Sequence, residues 1–113
     1  MCSQEQLSHV LEQLTAGLRS LFGVHLREVI LFGSYARNDA EDGSDVDVLV
    51  LVDLPREDIV GYRRRAAGIA GDLLISNNLL ISPIIENQAF FTQHLNVSPF
   101  YRNIDREGVR LGA

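Results

Sequence analysis

Two runs of this sequence, Val29-Ile30-Leu31-Phe32 and Val48-Leu49-Val50-Leu51-Val52, contain nothing but apolar side chains. Runs that short and that rich in branched residues read as buried strands, and buried strands need helices to cover them. The flanking segments supply those helices. Ser3 with Gln6 has the pattern of a capping box; Leu7, Val10, Leu11, Leu14 and Leu18 then recur at helical spacing, and Leu21 and Phe22 extend the stripe to Gly23. A second helix is expected from Asp53-Leu54-Pro55, with Glu57 and Asp58 in its first turn. Ile59, Tyr62, Ala66, Ile69, Ala70, Leu73 and Leu74 would form its inward face. Asn77-Asn78 marks a turn, and Leu79 to Glu86 reads as a third strand. Pro83 inside that strand cannot donate a ladder hydrogen bond, which puts the strand at a sheet edge or demands a bulge. Asn87 to Leu95 and a segment opening at Ser98-Pro99 and closing at Gly108 read as two last helices. The predicted order is αβαβαβαα, an α/β (α+β) sandwich of a small sheet and covering helices.

With 113 residues, 46% of them apolar, the chain suits one domain spanning 1–113 around a single core. No apolar run approaches the length of a membrane span, and the N-terminal segment is polar and amphipathic rather than a signal peptide, so the expected compartment is the cytoplasm. Cys2 is alone and reads as an incidental thiol. The net charge of −5 argues against direct binding of nucleic acid through its phosphates. All ten basic residues are Arg, and their one run, Arg63-Arg64-Arg65, fans around a helix as a solvated face. His9, His25 and His94 are scattered without metal-ligand spacing.

The chemistry is concentrated between the two apolar runs. The first ends at Gly33-Ser34, ten residues follow, and Asp45 and Asp47 head the second. Period-two alternation places both carboxylates on one face of a strand. Two like charges that close repel, and their desolvation is costly unless a cation compensates them. Magnesium does so with hard oxygen ligands while leaving positions open for phosphates. On the other side, a strand that runs into a glycine and then a helix presents backbone N–H groups to an anion, and Ser34 adds a hydroxyl as a candidate N-cap. Asp-x-Asp alone, or Gly-Ser alone, would be as well explained by a strand entry or a helix cap.

Together, Gly-Ser, ten residues and Asp-x-Asp between two apolar strands resemble the DNA polymerase β-like nucleotidyltransferase superfamily, and among its members the minimal nucleotidyltransferases. The closing Pro99-to-Leu111 segment extends a looser resemblance over most of the chain. The resemblance implies that Gly33 and Ser34 bind the phosphates of ATP or another nucleoside triphosphate. Asp45 and Asp47 would be catalytic and hold Mg2+, and in-line displacement at the α-phosphorus would release pyrophosphate. Arg37 matches a basic position of the family; it is open to a phosphate-neutralising role or to tying down the acidic loop of Glu41 and Asp42. Asn38 stands where the family usually has glycine, and asparagine tolerates the positive φ such a turn needs.

One departure stands out. Members of the family carry a third carboxylate on the next core strand, and Ser82 occupies the aligned position. Glu86 is the nearest acid on the same alternation, roughly 13 Å further along an extended strand. Tyr35 is expected to pack beside the turn rather than stack on a base, and Phe100 and Tyr101 to anchor the last helix. The resemblance further implies a helical HEPN-type protein partner in a toxin–antitoxin pair, with AMP transferred to a partner tyrosine; self-association is also open. Two readings follow from these residues: a Mg-dependent nucleotidyltransferase acting as antitoxin, supported by the Asp pair, and a binding module that neutralises its partner by contact, supported by Ser82.

Overall fold

The computed structural model describes residues 3–112; Cys2 lies outside them. Helix α1 (Gln4–Phe22) leads through a 3-10 turn (Gly23–His25) into β1 (Leu26–Phe32). A single turn, α2 (Ser34–Arg37), and a polar loop precede β2 (Val46–Val52). Helices α3 (Arg56–Ile59) and α4 (Arg63–Asn77) follow, then β3 (Ile81–Asn87), α5 (Gln88–Gln93), α6 (Pro99–Glu107) and the short β4 (Val109–Arg110). The expected α/β architecture is present, a mixed four-stranded sheet in the order β3-β2-β1-β4. β1 is antiparallel to β2 and to β4, while β2 and β3 run parallel.

Local signals explain most boundaries. The Ser3 hydroxyl accepts from the Gln6 N–H, but the Gln6 side chain does not complete the box; its amide donates to the Asn77 carbonyl at 3.2 Å and ties α1 to the end of α4. The Asn87 and Ser98 side chains cap α5 and α6, with Pro99 in the first turn of the latter. Pro83 pairs opposite Val48 in an unbroken register on the outer strand, so the edge position and not a bulge accommodates it.

Three expectations need correction. The helix predicted from Pro55 onwards is broken by a 3-10 turn at Val60–Tyr62, where β-branched Val60 and Gly61, both weak helix formers, coincide. Leu74 is 38% exposed rather than buried, because the inward stripe of α4 runs through Ala66, Ala70 and Leu73, and Leu74 lies a further 100° round the helix. The strand β4 was not anticipated; two residues are too few to carry a periodic signal.

Alternation along β2 divides the core. Val46, Val48, Val50 and Val52 are completely buried in the larger cluster with Val10, Leu14 and Leu18 of α1 and Ala66, Ala70 and Leu73 of α4. Leu49 and Leu51 point the other way, into a smaller cluster with Ile30, Phe91 and Ile104 beneath α5 and α6. Asp47 belongs to this second face by the same alternation, beyond the cover of the two helices.

Glu86 anchors that cover. It is 6% exposed, and its carboxylate accepts from Tyr101 Oη at 2.8 Å, Arg56 Nε at 3.1 Å and its neighbour's backbone N–H at 2.8 Å. Arg56 also lies over the Phe90 ring, 3.8 Å from its centroid. One carboxylate thereby joins β3, α3 and α6. Burial, and then the bond to Glu86, push the Tyr101 phenol up to about 12. Tyr101→Phe should cost about 1–3 kcal/mol in urea unfolding at neutral pH, since Glu86 loses a partner in a buried place. The sign of the pH effect follows from the raised phenol: the unfolded tyrosine ionises near 10.0 while the folded one stays neutral. The wild type should therefore lose stability between pH 10 and 12, and the phenylalanine variant should lack that component.

Candidate active site

β1 delivers the chain to Gly33, whose φ of 75° and ψ of −155° lie outside the conformations that L side chains adopt readily. A Cβ at this position would also collide with Oδ2 of Asp47. Glycine is required here twice over, by its backbone angle and by the carboxylate packed against it. The Gly33 carbonyl accepts from the Ala36 and Arg37 N–H groups, each at 3.1 Å. Gly33, not Ser34, is thus the N-cap of α2, and Ser34 is its first helical residue; the positive φ that the turn needs excludes serine from the cap. Asn38 ends the turn in the left-handed conformation, φ 63°, as expected for a residue standing in for glycine.

Asp45 sits just before β2 and Asp47 is its second residue. Ser82 on β3 is in register with Asp47, and its hydroxyl lies 3.3 Å from Asp45 Oδ2 as donor. The serine hydroxyl thereby reaches Asp45 from the strand position opposite Asp47. Asp47 is held above the usual carboxylate range, first by burial and then by repulsion from Asp45, with Arg37 partly offsetting both. Arg37 itself contacts Asp39 (3.3 Å) and Glu107 of α6 (4.0 Å), joining the loop to the last helix. Glu86 is fully engaged at the far end of β3 and takes no part.

An open cleft of about 520 Å³ reaches Asp45 on its loop side, between the start of α1 and the end of α4, with Gln6, Tyr35 and Asn77 in its walls. Tyr35 also packs against the larger core cluster, the role expected of it. The three histidines stay apart, and no set of three His, Cys, Asp or Glu side chains gathers among the described residues. Arg63, Arg64 and Arg65 are exposed, as expected, with Arg65 laid over Tyr62. No described helix is long and apolar enough to cross a membrane.

The donor chemistry fits a hard divalent cation. Asp45 and Asp47 offer carboxylate oxygens and Ser82 a hydroxyl, and Asp47 is raised first by burial and then by the Asp45 charge, two penalties that a bound cation would offset. Sequence reasoning passed over the bond from Ser82 to Asp45 and the buried Glu86–Tyr101 pair. The signal for the second was one acid closing an otherwise apolar strand.

Residues 11–104 match the family of the nucleotidyltransferase domain. A putative protein adenylyltransferase of Methanocaldococcus jannaschii is 30% identical over 98 residues, which cover 87% of this chain and 90% of the relative. Protein adenylyltransferase MntA of Thermococcus cleftensis is 33% identical over 84 residues, or 70% of this chain and 83% of that one. Among solved structures, a mutant of the MntA–HpeT toxin–antitoxin pair superposes with a TM-score of 0.58 at 16% identity, covering 94% of this chain and 73% of that chain. The last likeness bears on the fold alone, and matches the mixed sheet described above.

Asp47→Asn isolates the electrostatics. The folded carboxyl is raised, so its contribution is fully favourable below the unfolded value of 3.8 and is lost as pH rises through the folded value. At neutral pH without divalent ions, the variant should melt above wild type, an advantage that disappears towards pH 3. Added Mg2+ should raise the Tm of the wild type and not that of the variant.

Proposed function

The chain belongs to the nucleotidyltransferase domain family, and from that premise we propose that it transfers AMP from ATP to a hydroxyl group of a protein partner. The observation that carries this reading is the packing of Gly33 against Asp47, with Asp45 and Ser82 beside them. That packing brings a side-chain-free strip of backbone and two carboxylates to one point. Gly33 leaves room for a phosphate to approach the chain, and Ser34 and Arg37 supply a hydroxyl donor and a positive charge at its edge. Asp45 and Asp47 would hold Mg2+, with Ser82 orienting Asp45. When bound, such an ion offsets the charge of the triphosphate and of the attacking oxygen.

The relatives named as protein adenylyltransferases support a protein acceptor, and the net charge of −5 disfavours a nucleic-acid one. The relative named protein adenylyltransferase MntA supports a partner toxin, since MntA is paired in a toxin–antitoxin structure of this fold; here the partner is proposed to be a HEPN-type protein accepting AMP on a tyrosine, with this chain as antitoxin. The loop-side cleft at Asp45 offers an approach for that acceptor. A second reading has its own observation. Ser82 stands where a carboxylate would assist the attacking hydroxyl, which favours a chain that keeps the nucleotide site and neutralises its partner by contact.

Incubation with α-labelled ATP, Mg2+ and the co-encoded helical partner separates the two. Label should pass to the partner, and Asp45→Asn or Asp47→Asn should lower its rate by roughly a hundredfold or more, as loss of transition-state charge stabilisation does. A stable complex that never acquires label would establish the contact-only reading.

A further inference from the structure

The edge strand carries apolar surface on both sides of Ser82. Leu80, just before β3, and Ile84 within it share the alternation of Ser82 and are 47% and 41% exposed. Ile84 lies roughly 7 Å beyond Ser82, so this strip borders the carboxylate pair. From Ile84 it passes into a groove of about 340 Å³ between the outer edge of β3 and the first turns of α4. Ala66, Ala67, Pro83, Ile84 and Ile85 form its walls, with Arg63 as the charged member. Neighbouring arginines are already occupied: Arg56 bonds Glu86 and lies over Phe90, and Arg65 lies over Tyr62. Among the described residues, Arg63 and Arg64 have neither an ion pair nor a ring beneath them, in a chain whose net charge is −5. An unneutralised cation at the mouth of an apolar groove complements a segment that carries carboxylates beside apolar side chains.

The strand edge restricts the form of that segment. The Val46 N–H bonds the Leu80 carbonyl. In this register Ser82 and Ile84 turn their backbone groups to β2, while Ile81, Pro83 and Ile85 turn theirs outward. Pro83 has no N–H to offer at the centre of that edge, which disfavours an added strand. A helix satisfies its own backbone and needs none from the edge. We infer that this groove docks the acceptor protein through one of its helices, with apolar side chains over Ile84 and Ala67 and Asp or Glu side chains against Arg63 and Arg64. The inference rests on the protein-acceptor reading and adds the surface that holds the acceptor beside the carboxylates.

Calorimetric titration of the chain with the co-encoded helical partner tests the groove. Arg63→Glu, and Ala67→Glu, which fills the groove with a like charge, should each weaken the complex roughly tenfold or more. Arg65→Glu makes the same change of charge roughly 200° round α4 from Arg63 and should alter affinity less than about twofold. Arg63 and Ala67 are both exposed, so an unchanged Tm is expected and separates docking from folding. In the labelling reaction the two groove variants should raise the KM for the partner and leave kcat unchanged, whereas Asp45→Asn lowers kcat. Pro83→Val restores the missing N–H, and tighter binding by that variant would overturn the helix in favour of an added strand. Partner affinity indifferent to both groove substitutions, or self-association of the chain that they abolish, would overturn the groove as the acceptor's site; label still passing to the partner would leave the transfer reading standing. A wild type that neither binds nor labels the partner would overturn the acceptor reading and the docking together.

Discussion

The Asp47 carboxylate occupies space that a side chain at position 33 would need. Much of the site follows from that one exclusion. It forces glycine at the end of β1, and glycine permits the positive φ that turns the chain into α2. The turn throws Arg37 towards α6 and Tyr35 towards the larger core cluster, and the loop beyond it returns at Asp45. A buried strand and a charged site are thereby joined without a linker. The same β2 that is completely buried from Val48 to Val50 has a half-buried carboxylate one residue earlier.

Two groups of acids on one sheet face show opposite solutions to burying charge. Glu86 is nearly inaccessible and its carboxylate has a phenol, a guanidinium and a backbone N–H as partners, so it holds three elements together. Asp45 and Asp47 are more accessible; among the described residues, the Ser82 hydroxyl bonds Asp45 and Arg37 acts on Asp47 through its charge. A satisfied buried carboxylate serves the fold, because removing any partner leaves it costly. An under-compensated pair costs the fold something while it stands alone, and a ligand that brings positive charge recovers that cost. Their separation along β3 keeps the two functions from interfering.

Much of this was legible in the sequence. The helical stripe of α1, the two apolar strands and Pro83 at the edge each rest on a signal contained within a few neighbouring residues, whereas the association of Gly33 with the Asp-x-Asp strand was read from the spaced motif and its family resemblance. What escaped depends on contacts between distant segments. Ser34 looked like a cap because capping propensity is local, whereas the φ at Gly33 is dictated by Asp47, fourteen positions further on. Gln6 fits a capping box, yet it bonds to Asn77 across the interface of α1 with α4.

Ser82 ties these strands of reasoning to function. Its register opposite Asp47 and its bond to Asp45 put a neutral hydroxyl, not a third carboxylate, beside the two aspartates. A site with less negative charge repels a triphosphate less and holds a cation less tightly. Under the proposed function, a neutral serine at position 82 would hold a cation less tightly than a carboxylate, so the ion would arrive with the triphosphate. On the proposed reading, the attacking hydroxyl is the element most in need of outside help. An acceptor whose own surroundings lower the cost of losing its proton would supply that help, which makes the partner protein a contributor to the chemistry as well as its target.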